Sequence, residues 1–507
     1  MNKKTSNQIK IASLIAIVCT MLGKILGLLR EMKIAEALGA SVSSDAYNVA
    51  YLLVITIFGL FSSAYSNSLM PIVAEQYTQD KGKMNKTVNE IVTLSIVLML
   101  VVIGLMYLFP SLFVKLMAAG MDAETITLAS GLIKISAWAL VFLVLISAYA
   151  IVMRLYDKNI YPTVVDLLFP LPVLIALFSG ATLPHILIAC VVLGYAVKSL
   201  ALMIGLKTVG FSPKLNFNWV DPKIKSFFWL MPPMLLSSGL LQINTLVDNQ
   251  VASGFGTGSV TALSLASKVN GLAYTVFSTS LMQIIYSTMT KAYMRGDKKE
   301  FKDIVEKQTK MILMFIVPCF IILFNFSTEI ISILFVRGNY TQDNAAIAGA
   351  ILKGYAIGLP IYVLRDICMY VYYSAKNSKF PSFVTGTSVF INVGLNLLLS
   401  HLMGIKGVAY ATSLAAVLSL VLLGIFMKRK VAEIRLISLK NLLSIVAASL
   451  LSWEVAIILR DFFAEYNVWL NVIAFASVFI VFWMTVYSIE FAKETLEKKA
   501  SKKDMIL

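Results

Sequence analysis

Three cations, Lys24, Arg30 and Lys268, lie inside long apolar stretches of the sequence. A charge near the centre of a membrane helix costs roughly 2.5–3.5 kcal/mol on insertion scales, so each cation needs either a partner or a function. Along the chain, Glu31 is the acidic residue that stands closest to any of them. Uncompensated cations in such a place suit an anionic ligand such as a phosphate. Snorkelling to the membrane surface, or pairing with buried acids, is the structural alternative.

Other charged residues in apolar stretches favour a structural role. Arg365 and Asp366 are neighbours of opposite sign, which can pair with each other or with other helices. Lys134 and Lys353 occupy the same position of an internal repeat described below, and Lys198 is placed to snorkel. We therefore expect these five side chains to support the structure.

Oxygen-bearing side chains form a second candidate site. Asp248 ends one apolar segment, and Asn392 and Asn396 are spaced i, i+4 on one face of another. Carboxylate and amide oxygens are ligands that a hard cation such as Na⁺ accepts. Hydrogen bonding between helices explains the same residues equally well, so the spacing leaves both interpretations open.

The composition indicates which elements must position these residues. The 507-residue chain is 59% hydrophobic and 14% charged, with a mean hydropathy of +0.83, which excludes a soluble protein of this length. We predict an all-α polytopic membrane protein with about fourteen transmembrane helices of roughly 20 or more residues. The predicted spans lie near 9–37, 46–74, 88–110, 128–153, 162–180, 183–206, 226–252, 259–289, 309–336, 344–374, 381–401, 405–427, 440–460 and 468–491.

The distribution of Lys and Arg predicts the orientation. Lys and Arg outnumber Asp and Glu by 43 to 27, and most of them lie in the two tails and in every second loop, as in 291–302. The positive-inside rule then places both termini in the cytoplasm. The basic loops are short and belong to no RNA-binding or DNA-binding module, so nucleic acid is not an expected partner. The outer loops are too short for a folded domain.

An internal repeat predicts two lobes. Gly131–Lys134 and Ala350–Lys353 share a pattern at an offset of 219 residues, as do Pro162 and Pro381. Because a six-helix unit begins and ends on the same side of the membrane, its copy inserts in the same orientation. We predict two pseudo-symmetric six-helix lobes around a central cavity, an N-lobe over 1–207 and a C-lobe over 208–430. Residues 431–507 add two helices and a basic cytoplasmic tail.

Seven segments of the sequence carry a resemblance to a known family. From about residue 10 to 430, the chain resembles the MurJ/MviN family of lipid II flippases, within the MOP exporter superfamily. The segments are MLGKILGLLRE (Met21–Glu31), IAEALGAS (Ile34–Ser41), SDAYNVA (Ser44–Ala50), QINTLVDNQVAS (Gln242–Ser253), GSVTALSLASKVNG (Gly258–Gly271), FVRGNYT (Phe335–Thr341) and GLPIYVLRD (Gly358–Asp366).

The resemblance implies roles for particular residues. It implies that cavity residues hold the substrate pyrophosphate, that the last two helices form a groove for the polyprenyl tail, and that Na⁺ has a site. The implied substrate residues are Lys24, Arg30, Glu31, Asp45 and Lys268, and the implied Na⁺ ligands are Asp248, Asn392, Asn396, Thr412 and the Val408 carbonyl.

This sequence also departs from the family pattern. Lys24 and Lys268 stand where the family has Arg, and Asn396 stands where sodium-binding members have Asp. The second predicted helix carries no charge over Leu52–Leu69, where members often have a further Arg. Lys keeps the positive sign of Arg but lacks its bidentate geometry.

The sequence therefore predicts a lipid II flippase in the bacterial plasma membrane, serving peptidoglycan synthesis, cell-wall biogenesis and cell shape. It would move lipid II to the outer leaflet by alternating access, without covalent chemistry, driven by the membrane potential or by Na⁺, with no other cofactor. Expected partners are lipid II, the bilayer and cell-wall synthesis proteins.

Four other functions stay open. One is a flippase for another undecaprenyl-pyrophosphate-linked glycan of an exopolysaccharide or spore envelope, and a second, less favoured, is a multidrug antiporter, which would need carboxylates in its cavity. A third is a sugar polymerase or ligase, which would need an acid or base on a large outer loop. The fourth is a scaffold for wall enzymes.

Overall fold

Helices make up the regular structure of the residues that the computed structural model describes, 3–218, 222–430, 436–463 and 473–489, and no strand occurs among them. In chain order they are α1 (Lys3–Leu38), α2 (Val42–Gln79), α3 (Lys81–Leu108), α4 (Pro110–Ala118), α5 (Ala123–Ser136), α6 (Ala139–Leu155), α7 (Ile160–Val165), a 3₁₀ turn (Asp166–Leu168), α8 (Leu171–Phe178), α9 (Pro184–Lys207), α10 (Pro222–Ser253), α11 (Ser259–Met294), α12 (Lys298–Asn325), α13 (Ser327–Phe335), α14 (Gln342–Ser374), α15 (Lys379–Met403), α16 (Lys406–Lys430), α17 (Leu439–Phe463) and α18 (Ile473–Ile489).

Length and composition mark many of these helices as membrane spans. Within the described ranges, nine are long and apolar enough to cross a bilayer, or ten if the bent pair α5–α6 counts as one span. The prediction of an all-helical polytopic membrane protein is confirmed. The passing segments are Val42–Gln79, Lys81–Leu108, Ile160–Phe178, Pro184–Lys207, Lys298–Asn325, Gln342–Ser374, Lys379–Met403, Lys406–Met427 and Asn441–Leu459.

Several predicted spans are interrupted. The span predicted at 162–180 consists of α7, the 3₁₀ turn and α8, because Pro170 and Pro172 lack the N–H that a continuous helix needs. The span predicted at 128–153 bends by 43° between α5 and α6. The span predicted at 88–110 ends in α3 before Pro110 starts the short helix α4.

Corresponding helices in the two halves of the chain begin at a nearly constant separation in sequence. Helix α3 begins at Lys81 and α12 at Lys298, 217 residues later, and both are 28 residues long. Helix α5 begins at Ala123 and α14 at Gln342, an offset of 219. The 219-residue offset between the starts of α5 and α14 equals the offset of the repeat found in the sequence.

The residues group into two compact units. The first comprises Met1–Ser264 with Phe335–Asn344, and the second comprises Leu265–Leu334 with Ala345–Leu507. In the first unit α2 is central, since it packs against α3, α5, α6, α9 and α10. In the second unit α15 packs along α16, and α12 packs against α17.

Candidate functional site

Arg30 is the most enclosed of the predicted substrate-binding cations. Its side chain lies within the first unit, and the residue is only 5% exposed. Its Nη2 atom donates to Glu31 Oε1 at 2.6 Å and to the Tyr51 hydroxyl at 2.8 Å. The guanidinium also lies over the rings of Tyr51 and Phe169, 4.9 and 5.3 Å from their centroids. Carboxylate and ring faces therefore balance its charge.

The expectation of an uncompensated charge is wrong for Arg30. The structure pairs Glu31 with its neighbour Arg30. The Arg30 Nε atom is buried and has no hydrogen-bond partner among the described residues. The Nε–H is therefore one donor that a phosphate could use without displacing Glu31 or Tyr51 from Nη2.

Lys24 and Lys268 have different surroundings from Arg30. Lys24 is exposed on α1, six residues before Arg30, and forms no ion pair with the described residues. Lys268 is half-buried on α11 and belongs to the second unit. Their roles as phosphate ligands stay predictions.

Asp45 joins the N-terminal ends of two helices. Its Oδ2 atom accepts the Gly258 N–H at 2.6 Å, and its Oδ1 atom accepts the Thr261 N–H at 2.9 Å and the Thr261 hydroxyl at 2.6 Å. The first N–H groups of a helix have no partner within it and carry partial positive charge. Asp45, in the first turn of α2, thus caps α11 from outside. The predicted contact with substrate stays untested, but both of its oxygens are occupied in this arrangement.

Further polar side chains extend this contact between α2 and α11. Asn48 Nδ2 donates to Thr261 Oγ1 at 3.0 Å, and Ser264 Oγ donates to Asn48 Oδ1 at 3.4 Å. Ser44 Oγ lies 2.9 Å from the Thr261 hydroxyl. Ser44, Asn48, Thr261 and Ser264 are all buried. The two helix ends are thus held by a network rather than by one bond.

The end of α10 is tied to the loop between α4 and α5. Gln250 Nε2 donates to the Lys115 carbonyl at 2.6 Å, while its Oε1 accepts the Ala119 N–H at 2.7 Å. The Gly120 N–H donates to Ser253 Oγ at 2.9 Å. Side chains of α10 therefore pair with backbone groups at the end of α4 and in the loop that follows, which would otherwise lack these hydrogen-bond partners.

The loop between α13 and α14 contacts the end of α1. The Asn339 N–H donates to the Glu36 carbonyl at 3.0 Å, and its side-chain amide donates to the Ala37 carbonyl at 2.8 Å. These carbonyls belong to the last turn of α1, which has no partner of its own for them. Gly338 has φ of +53°, and a Cβ atom there would lie 2.5 Å from the Glu36 oxygen. Only glycine fits that close approach.

These contacts define what we call the end junction, residues 36–48, 119–122, 250–264 and 338–340. A cavity of about 250 Å³ lies within it, lined by Asp45, Asp122, Ser253 and neighbouring backbone. Asp122 caps α5 by accepting the Thr125 N–H at 2.7 Å. That hydrogen bond holds the pKa of Asp122 below its usual value.

The end junction gathers most of the segments that carry the family resemblance. IAEALGAS and FVRGNYT meet at Glu36 and Asn339, and SDAYNVA meets the start of GSVTALSLASKVNG at Asp45 and Thr261. Of the residues at these contacts, the sequence analysis singles out Asp45 as a site residue but not Gln250 or Asn339. Both residues lie in segments that carry the family resemblance, and that is the sequence signal that could have identified them.

The predicted cation ligands on α15 and α16 are connected to one another. Asn396 Nδ2 donates to Asn392 Oδ1 at 3.0 Å, and Asn392 Nδ2 donates to Thr412 Oγ1 at 3.3 Å. The Thr412 hydroxyl in turn donates to the Val408 carbonyl at 3.1 Å. Asp248 is half-buried on α10 in the first unit. Coordination of Na⁺ by these residues stays a prediction.

Four of the five charged residues that we expect to be structural have partners in the structure. Arg365 donates to Asp366 at 2.9 Å, and Asp366 also accepts the Tyr274 hydroxyl. Lys353 lies 4.6 Å from the centroid of the Phe324 ring. Lys198 forms an ion pair with a carboxylate on the 3₁₀ turn. Such pairing agrees with the structural role predicted for them.

The fold is that of a known class of membrane transporter. A multidrug-resistance MATE family transporter of the MOP superfamily, solved in an inward-facing conformation, aligns with a TM-score of 0.68 at 14% identity, covering 82% of this chain and 97% of that one. A structure described as lipid II flippase MurJ, inward closed conformation, aligns with a TM-score of 0.79 at 23% identity, covering 95% of this chain and all of that one. At these identities the likeness defines the fold.

Sequence comparison defines the family. Residues 34–479 match the family described as lipid II flippase MurJ, and the chain belongs to that family. A probable lipid II flippase MurJ of Thermotoga maritima is 26% identical over 431 residues, which cover 83% of this chain and 86% of the relative. The resemblance found in the sequence is confirmed.

Proposed function

We propose that this protein is a lipid II flippase, which carries the undecaprenyl-pyrophosphate-linked precursor of peptidoglycan from the inner to the outer leaflet. The observation that carries the proposal is the family match over residues 34–479, most of the chain. The protein is a transporter and performs no covalent chemistry on lipid II. Its activity serves cell-wall biogenesis and cell shape, with the bilayer and cell-wall synthesis proteins as its surroundings.

The proposed membrane arrangement has fourteen spans in the bacterial plasma membrane. Each of the fourteen predicted segments falls largely on helix, including α1, α10 and α11, and α18 forms part of the fourteenth. Six spans form each lobe, and the last two spans accommodate the polyprenyl tail. Both termini are cytoplasmic by the positive-inside rule, which puts the end junction on the outer side.

The end junction then acts as the outer gate in an alternating-access cycle. Its hydrogen bonds close the outer ends of α1, α2, α10 and α11 in the described state. Lipid II enters from the cytoplasmic side, and release requires these bonds to open. A ligand opens the junction to the extent that it binds the open state more tightly than the closed state.

The cations supply the attraction for pyrophosphate. Lys24 is exposed and acts as a point charge, and Lys268 adds a second ammonium on α11. Arg30 contributes once it exchanges its bond to Glu31 for a phosphate oxygen. The driving force is either Na⁺ bound by Asp248 with the α15–α16 amides or the membrane potential.

Complementation tests the proposal. The wild-type chain is expressed in a strain depleted of its lipid II flippase, beside Lys24→Ala, Lys268→Ala and a control variant, Lys207→Ala. Lys207 is an exposed cation at the end of α9 outside the proposed site. We expect rescue by the wild type and by Lys207→Ala but not by the two site variants, with equal membrane expression.

The other outcomes separate the alternatives. Failure of a well-expressed wild type would favour a flippase for another undecaprenyl-pyrophosphate-linked glycan. Rescue by both site variants would contradict the cationic site. The fold shared with the MATE transporter raises the multidrug antiporter again, and export of cationic drugs without rescue would favour it.

A further inference from the structure

A second cavity lies in the first unit, and Lys198 is part of its lining. It has a volume of about 160 Å³ and lies among α2, α6, α7, α9 and the 3₁₀ turn. Lys24, Arg30 and the residues of the end junction do not line it. Its polar lining, which we call the serine–arginine pocket, consists of Ser62, Ser66, Ser147, Arg154, Asp166 and Lys198.

The charges of the serine–arginine pocket do not cancel. Lys198 pairs with Asp166, and the Lys198 side chain is only 18% exposed, so this cation is held in place. Arg154 lines the same cavity but forms neither an ion pair nor a hydrogen bond with the described residues. Two cations and one carboxylate leave one net positive charge, carried by the guanidinium. A position in the last turn of α6 makes a cation favourable there but does not neutralise it.

Hydroxyl groups complete the lining. Ser147 Oγ lies 3.2 Å from Ser62 Oγ, so the two hydroxyls stand side by side. The Ser66 hydroxyl forms no hydrogen bond with the described part of the chain. A guanidinium, an ammonium and hydroxyl donors around one space are the groups that bind phosphate oxygens.

The size of the pocket limits the ligand. Pockets for drug-sized ligands occupy about 300–1,000 Å³, and this one is about half the lower limit. It is too small for the sugar and peptide of lipid II but large enough for one phosphate group. The four helices contribute residues from the same end of the unit, which is cytoplasmic on the orientation proposed above.

We propose that the serine–arginine pocket binds a single phosphate group, supplied either by an anionic lipid headgroup of the inner leaflet or by free phosphate. Arg154 provides the charge that the ligand neutralises, and Lys198 shifts from Asp166 toward the ligand. This site is separate from the proposed site for lipid II. Only the assignment of the pocket to the cytoplasmic side of the membrane rests on the proposed function.

Binding measurements on the purified full-length protein test this inference. The protein is placed in nanodiscs of neutral phosphatidylcholine, and binding of radiolabelled inorganic phosphate is measured at equilibrium. Retention of short-chain phosphatidylglycerol is measured separately by native mass spectrometry. Arg154→Gln should weaken binding of the true ligand about tenfold or more, since a charge-assisted contact is lost. Asp166→Asn should strengthen it, because Lys198 loses its competing carboxylate.

The control is Lys207→Gln, which removes one positive charge from the same end of the unit outside the pocket. It should leave affinity unchanged, and melting temperature should show that every variant is folded. Binding of phosphate would identify a free-anion site, and binding of phosphatidylglycerol alone a headgroup site. No binding of either, equal weakening in Lys207→Gln, or no gain in Asp166→Asn would overturn the proposal. If Arg154→Gln does not fold, the direction of the Asp166→Asn effect still decides.

Discussion

The change Asp45→Asn should open the end junction. The carboxylate uses both oxygens, Oδ2 for the Gly258 N–H and Oδ1 for Thr261. An asparagine offers one oxygen and one NH₂ group. If the oxygen serves Thr261, the NH₂ group faces the Gly258 N–H as donor against donor. The substitution therefore loses at least one charge-assisted hydrogen bond to the start of α11.

The size of the effect follows from that loss. Hydrogen bonds to charged groups contribute about 1.5–3 kcal/mol each. If the closed junction is weakened by that amount, the ratio of open to closed molecules rises roughly 10-fold to 150-fold. A change of this size is sufficient to alter which state of the transporter is populated, since conformational equilibria of this kind lie within a few kcal/mol.

Labelling of a buried cysteine measures this opening. Ser253→Cys places a thiol at a position that is 3% exposed and covered by the Gly120 N–H. In a background without the four native cysteines, a membrane-impermeant maleimide added outside the cell should label this thiol faster in Asp45→Asn, in proportion to the open population.

The control for this experiment is Glu124→Gln. Glu124 is an exposed carboxylate in the first turn of α5, outside the end junction and outside the cavity lining. Its labelling rate should match that of the parent. Equal labelling of the parent and Asp45→Asn, or an equal increase in both variants, would refute the reasoning. So would labelling of the parent at the rate of a free thiol.

Three further predictions concern other contacts. Glu31→Gln should lower the free energy of unfolding by about 3–5 kcal/mol, measured by thermal unfolding, because Arg30 is left buried without its carboxylate. The double variant with Arg30→Gln should lose less than the sum of the two single variants, and additive losses would contradict the pairing. Asn396→Asp should raise the affinity for Na⁺ about tenfold or more in equilibrium ²²Na⁺ binding, since the charge of the ligands tunes cation affinity. Absence of Na⁺ binding in both the wild type and the variant would contradict the Na⁺ site and favour the membrane potential as the driving force. Glu306→Ala removes an acceptor that lies 3.0 Å from the side-chain Nδ2 of Asn441 and 3.1 Å from Ser438 N, so hydrogen exchange in the first turn of α17 should rise roughly two- to tenfold. Unchanged exchange would contradict a stabilising role of Glu306 at the start of this helix.

Helical periodicity and apolar length were sufficient to predict the class of fold. They located helices such as α9 to within a few residues of the observed Pro184–Lys207. They did not predict the interruptions, because the apolar length of a segment does not register where a backbone N–H is missing. Pro170 and Pro172 carried that information for the α7–α8 segment. The bend at Ala137 and Trp138 has neither proline nor glycine to signal it.

The candidate site was predictable in its residue types but not in its partners. A mid-helix Arg next to a Glu signals a buried charge in any membrane helix. That Glu31 and Tyr51 would neutralise Arg30, while Lys24 stays exposed, depends on packing between α1 and α2. Asp45 was likewise selected for its charge, yet its ligands are backbone N–H groups of a helix 213 residues away. Such contacts leave no periodic pattern in one sequence.

The difference between Lys24 and Arg30 bears on the order of events in transport. An exposed ammonium can meet a pyrophosphate without rearrangement, whereas the Nη2 atom of the buried Arg30 must first give up a carboxylate at 2.6 Å. Removing one partner of such a pair is costly, so the exchange proceeds only if the phosphate arrives as Glu31 leaves. Pyrophosphate carries more negative charge than a carboxylate and can therefore replace it. If these residues hold the pyrophosphate as proposed, we expect Lys24 to govern the first encounter with lipid II and Arg30 to govern the step in which the bound state rearranges.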